Sequence, residues 1–386
     1  MGKMEWSRRF RYRKEAPMNT DSGHAIGNER NRFVERLLKS TAGAFDIFTI
    51  YLGDRLGFYR ALSERGPVTS DELAAHTGAY ERYVREWLEQ QTVAGILKVE
   101  DEAAAARSRR YRLPAGHREV LVDRDSLNYL APLVQMVAGA VRPLHQVLKA
   151  YRSGKGVPYL YYGAEFREGQ ASRNRTMFLR QLGTEWLPSI PDVHQRLMAD
   201  PPARIADIGC GGGWSGIGVA RAYPNVQVDG YDLDEASVEL ARANVADAGL
   251  EERVRIHHRD AADSAFRGCY DLVTAFECVH DMADPVGALR TMLGLARDGG
   301  SVIVMDERVG DRFTARGNEV EWMMYGWSVL HCLPVGKADG PSAETGTVMR
   351  PDTLRQYAAE AGFCDIDILP IDNFFFRFYR LKALCG

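Results

Sequence analysis

The 386-residue sequence predicts an α/β fold in its C-terminal half behind a mainly helical N-terminal half. Three observations carry that expectation. From Arg204 onward, short apolar runs alternate with amphipathic helical stretches, the pattern of a parallel sheet wound with helices. The first of those runs enters a glycine-rich turn, Ala206 to Trp214, reading ADIGCGGGW. Upstream, apolar residues recur at helical rather than alternating spacing.

The first 28 residues, beginning MGKMEWSRRFRYRKEAP, are basic and lack the apolar stretch of a signal peptide. They are expected to be a disordered leader, with Met18 an alternative natural start. Residues 29–122 read as a helical domain. Phe33, Leu37, Leu38, Ala44, Phe45, Ile47, Phe48, Ile50 and Tyr51 fall at helical spacing, one or two amphipathic helices, punctuated by Gly53, Gly57 and Gly66-Pro67. Ser70 is a candidate N-cap for a short helix through His76, and a second helix starts near Glu81 after a turn at Gly78. ILKVED (Ile96 to Asp101) and RRYRLP (Arg109 to Pro114) then read as two wing strands, which makes the unit a winged helix.

A winged helix raises nucleic-acid binding, and charge tests it. In the would-be recognition helix Glu81, Glu86 and Glu89 outnumber Arg82 and Arg85, while Val84, Trp87 and Leu88 read as core. The wing is basic, with Arg107, Arg109, Arg110 and Arg112, for which a solvated loop is the ordinary explanation.

Residues 123–200 read as helices broken by prolines and glycines, a linker and substrate lid. Aromatic density is high in VPYLYYGAEF (Val157 to Phe166) and in the helix ending at Trp186, which makes Tyr162, Phe166 and Trp186 candidates for a substrate pocket. Residues 201–386 then alternate. The strand Arg204 to Ile208 precedes the glycine turn, a helix runs from Trp214 to Tyr223, and the strand Val226 to Tyr231 ends at Asp232. The helix Glu235 to Ala248 follows, with Gly249 as its cap, then strands at Val254 to His257, Leu272 to Phe276 and Ser301 to Met305, and a helix from Pro285 to Ala296. Between Arg312 and Arg350 lies an insertion whose first half is a helix rich in Trp322, Met323, Tyr325 and Trp327, a candidate second wall of the pocket. The chain closes with a helix, Pro351 to Ala361, and strands at Asp365 to Leu369 and Phe374 to Leu381.

Glycines at 209, 211 and 213 allow a tight turn, close approach of a ligand and a helix N-terminus aimed at it. Asp232, at the end of the next strand, is placed to accept both hydroxyls of a ribose. The turn has the form D-x-G-x-G-x-G from Asp207, and with Asp260-Ala261 and YDLVTAFECVHD (Tyr270 to Asp281) it resembles the class I S-adenosylmethionine-dependent methyltransferases over Arg204 to about Arg308. That resemblance implies a Rossmann-like domain with a mixed seven-stranded sheet, S-adenosyl-L-methionine as cofactor, and a pocket from Asp207, Gly209, Gly211, Gly213, Asp232, Leu233, Asp260, Ala261 and Glu277. Similarity to winged-helix methyltransferases of plant and bacterial secondary metabolism implies a homodimer through the N-terminal domain and no DNA contact there.

Methyl transfer from a sulfonium mainly needs alignment of nucleophile and methyl carbon. A hydroxyl acceptor must also lose its proton, work suited to an imidazole. His280, just past the fourth strand of the alternating half, is the candidate base, and VHDM resembles the HDW segment of plant-type O-methyltransferases, with Met282 in place of the tryptophan. Asp281 reads alternatively as the N-cap of the next helix. Glu307, or else Asp306, is a candidate to orient the imidazole or the substrate.

The expected activity is methyl transfer to a small, largely apolar or aromatic metabolite, most simply at a hydroxyl. The alternatives are carbon or nitrogen methylation, other cofactor-assisted chemistry, and a winged-helix transcriptional regulator that senses a small molecule. A net charge of −3 gives no general pull toward nucleic acid or anionic membrane. The longest apolar stretch, Leu127 to Leu144, is broken by Pro132, Gln135, Arg142 and Pro143. Six scattered cysteines suggest no disulfide framework and no metal site, and make a reducing cytoplasm the default.

Overall fold

The computed structural model describes residues 21–263, 270–338 and 340–383. The chain divides into two units, residues 1–49 and 50–386. Helix α1 (Asp21–Arg55) begins in the first, and its first turns take up residues 21–28, part of the expected leader; residues 1–20 lie outside the described residues. Within the first unit Phe33, Leu37, Leu38 and Phe45 are all exposed.

In the second unit α2 (Phe58–Arg65), α3 (Ser70–Thr77) and α4 (Glu81–Val93) pack around Leu62, Leu73, Val84, Trp87 and Leu88. The cap of α3 is Thr69 rather than Ser70. Thr69 Oγ1 accepts from Glu72 N at 3.2 Å and Glu72 Oε2 accepts from Thr69 N at 2.8 Å, a reciprocal box that only T-x-x-E spacing closes. Ser70 Oγ instead donates to Glu81 on α4, 2.6 Å away. The wing strands are shorter than expected, β1 (Lys98–Val99) and β2 (Tyr111–Arg112), because Pro114 already caps α5 (Ala115–Leu121).

Helices α6 (Ala131–Val141), α7 (Leu144–Ser153) and α8 (Gly163–Met177) follow, and α8 continues as a π-helical segment, Phe178–Trp186, before α9 (Pro191–Met198). The sheet comprises β3 (Arg204–Ile208), β4 (Gln227–Asp232), β5 (Val254–His258), β6 (Tyr270–Phe276), β7 (Ala296–Glu307), β8 (Asp365–Ile368) and β9 (Phe376–Lys382), in the order β5-β4-β3-β6-β7-β9-β8. The first five of these in the order are parallel, and β9 is antiparallel to both neighbours, so the sheet is mixed and seven-stranded, with Rossmann-like connections. The connecting helices are α10 (Trp214–Ala222), α11 (Glu235–Asp247) and α12 (Pro285–Leu295); α13 (Glu319–Trp327), α14 (Leu333–Gly336) and α15 (Pro351–Ala361) lie between β7 and β8.

The four inner residues of β3 are buried because both faces are covered. Ile205 joins one core with Phe178, Trp186, Ile217 and Val238, while Ala206 and Ile208 point into the other with Leu289, Met292 and Leu354. The small residues of α10 let the π-helical segment approach: a Cβ on Gly218 would collide with the Phe178 carbonyl. Cys364 is disulfide-bonded, although the scattered spacing suggests no disulfide framework, and Cys210, Cys278 and Cys332 are free thiols. Cys364 N–H donates to Lys382 O at 2.8 Å. Among the described residues no helix is long and apolar enough to cross a membrane.

Candidate active site

The carboxyl ends of β3, β4, β6 and β7 converge on one edge, where open sheets gather ligands. After β3 the turn has φ of 65° at Gly209 and 51° at Gly211, values that favour glycine. A side chain at Gly209 would also meet Cys278 Sγ at 2.7 Å, whereas the space above Gly211 is open. Gly211 N–H donates to Asp232 Oδ2 at 2.8 Å, and Asp234 N–H donates to Asp232 Oδ1 at 2.9 Å. Burial raises the Asp232 pKa, and these backbone donors oppose the rise. One carboxylate thus ties the glycine turn to the acidic turn. Leu233 beside it is 59% exposed, and Asp260 and Ala261 are accessible past β5.

Asp207 departs from its expected place on the ligand side. It is 3% exposed, beneath the turn, and accepts from Ser215 Oγ and from Thr274 Oγ1, the latter at 2.7 Å. It braces β3, β6 and α10, and burial pushes its pKa up to about 6 against those two hydroxyls.

At the end of β6, Glu277 takes φ of 55°, and its N–H donates to Met305 O at 2.8 Å. A short 3₁₀ turn, Val279–Asp281, then carries His280, while the cap of α12 is Asp284 rather than Asp281. His280 is 3% exposed; its Nδ1 lies 2.8 Å from Asp306 Oδ1 and its Nε2 lies 3.3 Å from Asp281 Oδ1. Burial alone would lower the imidazole pKa, but Asp306 and Asp281 together raise it well above 6.5. Asp306 is thus the neighbour that fixes the imidazole. Glu307, 7% exposed, has Oε2 without a hydrogen-bond partner, and burial together with Glu277 raises its pKa. Burial likewise raises Glu277 against the Arg173 guanidinium, 3.5 Å away.

Helix α8 lays Phe166, Gln170, Arg173 and Asn174 along one face toward these groups, and Arg167 of the same helix pairs with Asp234 at 2.7 Å. Opposite, Met323, Met324 and Trp327 of α13 lead into a π-helical turn, Ser328–Cys332, that delivers His331. The cavity is partly open to solvent and about 80 Å³, below the roughly 300 Å³ at which ligand pockets begin.

Of the residues expected to form the pocket, Phe166, Met323 and Trp327 line it. The others do not. Trp186 lies in the sheet core, its ring 5.0 Å from Phe378. Tyr162 is buried behind the wall and donates to Leu330 O at 2.9 Å. Trp322 is 68% exposed and Tyr325 faces Arg350, because positions 322 and 325 share a side of α13 that 323, 324 and 327 do not. Arg167, Gln170, Arg173, Asn174 and Thr347 join the site without a motif of their own, whereas His331 belongs to the insertion helix expected to form the second wall. For the α8 residues the signal was available in the i, i+4, i+7, i+8 spacing from Phe166.

Residues 205–300 match the family model described as a methyltransferase domain, and residues 44–123 match a Rv2258c-like winged HTH domain. The chain carries a class I S-adenosylmethionine-dependent methyltransferase domain. The chain is 29% identical over 184 residues to a ubiquinone biosynthesis O-methyltransferase of Stutzerimonas stutzeri, 47% of this chain and 73% of that protein. It is 35% identical over 104 residues to polyketide synthase ThaQ of Burkholderia thailandensis, a match that spans 27% of this chain and 5% of the synthase. Its fold is that of mitomycin 7-O-methyltransferase MmcR, with TM-score 0.67 and 19% identity over 93% of this chain and all of that one. The O-methyltransferase NcsB1, solved with S-adenosyl-L-homocysteine and 1,4-dihydroxy-2-naphthoic acid, matches with TM-score 0.56 and 16% identity over 88% of this chain and 96% of that one.

S-adenosyl-L-methionine is the cofactor of this class. The residues present fit it: the space above Gly211 is open, Asp232 stands beside it, and Glu277 Oε2 is buried without a hydrogen-bond partner.

Proposed function

We propose that the protein methylates a hydroxyl of a small molecule, with His280 as the base. The observation that carries this is the 2.8 Å contact between His280 Nδ1 and Asp306 Oδ1, which commits Nδ1 and leaves Nε2, 3.3 Å from Asp281 Oδ1, as the ring nitrogen for a substrate proton. When bound, the cofactor supplies an activated methyl group; Gly209, Gly211, Gly213, Asp232, Leu233, Asp260, Ala261 and Glu277 would hold it. The chain's own work is to align and to move a proton. Nε2 of neutral His280 accepts the hydroxyl proton, and Asp306 fixes the tautomer and stabilises the imidazolium that forms. Glu307 orients the substrate, and α8 and α13 close over the site to exclude water. In His280→Ala, turnover falls by about 10²-fold or more with cofactor affinity unchanged; full activity would remove His280 from the mechanism.

The winged helix supports an interface role over DNA reading. Arg82 and Arg85 pair with Glu86 and Glu81 on α4, and in the wing Arg107, Arg109 and Arg110 pair with Asp71, Glu89 and Glu72. These cations are already neutralised. The exposed apolar residues of α1 favour a homodimer.

A further inference from the structure

Most of the cavity wall is apolar, yet it holds four buried polar atoms that the cofactor assignment leaves without a hydrogen-bond partner, Asp281 Oδ1, Glu307 Oε2, His331 Nε2 and Thr347 Oγ1, and of these Glu307 Oε2 and His331 Nε2 pair an acid with a neutral ring nitrogen. Such atoms are costly in a folded protein unless a ligand satisfies them. His331 is 1% exposed and cannot swing away. Its ring stacks on Phe166 at 3.7 Å and 13°, Tyr162 meets it edge-on at 4.5 Å, and its Nδ1 faces Cys332 Sγ at 3.4 Å. Burial lowers its pKa to about 4, so the imidazole stays neutral and Nε2 can exchange a hydrogen bond.

The charges of the same wall restrict what can dock there. Three acids line it, Glu277, Asp281 and Glu307, and Asp306 stands behind His280. The two cations of the wall already face acids: Arg173 is paired with Glu277 and His280 with Asp306 and Asp281. A ligand carboxylate would find no uncommitted counter-ion there.

We propose that the acceptor is a non-anionic aromatic molecule bearing, beside the methylated hydroxyl, a second hydroxyl or amine that docks between Glu307 and His331. This rests on the methyl-transfer reading above. It also separates this pocket from that of a neighbour solved with a naphthoic acid.

Four probes of one ring system test it: naphthalene-2,3-diol, 3-amino-2-naphthol, 2-naphthol and 3-hydroxy-2-naphthoic acid, titrated calorimetrically into protein saturated with S-adenosyl-L-homocysteine. The diol and the aminonaphthol bind; 2-naphthol and the acid bind about 10-fold more weakly or worse, the scale set by one lost hydrogen bond. His331→Phe keeps the stack on Phe166 and removes Nε2, and it abolishes the diol's advantage over 2-naphthol. Glu307→Leu removes Oε2, and it too narrows the diol's advantage over 2-naphthol. The proposal is overturned if the acid binds wild type as well as the diol does, if none of the four binds, or if the diol's advantage survives both substitutions. Failure of S-adenosyl-L-homocysteine itself to bind, read in the first titration, sinks the methyl-transfer reading instead.

Discussion

His280 Nδ1 donates to Asp306 Oδ1 across 2.8 Å, joining the turn after β6 to the end of β7 in the interior of the protein. Both residues are nearly fully buried, so the pair sets the charge of the site. Asp306 and Asp281 raise the imidazole pKa well above 6.5, and the resting site therefore holds His280 protonated at neutral pH.

That sign fixes a pH dependence. A base works only when neutral, so the rising limb of methyl transfer lies alkaline of 6.5, and Asp306→Asn moves it toward lower pH while slowing turnover. A limb at or below 6.5 in wild type, or one unmoved in Asp306→Asn, contradicts the assignment. The same shift acts on stability. The pair's contribution is present in full below about 6.5 and is lost as pH rises through the raised folded value, which denaturant titrations across that window read directly.

The capping box of α3 is separable from the chemistry. Thr69→Ala removes the acceptor for Glu72 N and costs about 1 kcal/mol of stability. Cofactor affinity stays the same, because Thr69 lies in the winged-helix region. Chemical denaturation and calorimetry on the same sample check both parts.

Light scattering addresses the homodimer. Leu37→Asp with Phe45→Asp places charges on two exposed apolar positions of α1, 58% and 63% accessible in the single chain. Wild type runs at twice the chain mass and the double variant at one; wild type at one chain mass rules the interface out.

Much of the fold was legible because its signals are local. β3 and α15 begin and end at Arg204, Ile208, Pro351 and Ala361, as the apolar runs and the proline predict. The Asp232 position follows from the strand-turn-helix pattern alone. Less legible was what depends on partners distant in sequence. Thr69 rather than Ser70 caps α3 because Glu72 reaches back, and Asp207 turns under the sheet because Ser215 and Thr274 receive it. Trp322 and Tyr325 were expected in the pocket by composition, yet the face that α13 buries belongs to its neighbours. His331 belongs to the helix expected as the second wall, but its stack on Phe166 depends on a π-helical turn that no local pattern signals.

One carboxylate, Asp232, joins the glycine turn to the acidic turn, and in the proposed function it completes the cofactor pocket. Calorimetric titration of S-adenosyl-L-methionine into wild type, Asp232→Asn and Asp232→Ala tests it most directly, with thermal melts confirming that each variant is folded. Wild type is expected to bind at one site per chain, Asp232→Asn with affinity at least about 10-fold weaker, and Asp232→Ala not measurably. Wild-type affinity in a folded Asp232→Ala protein would contradict it.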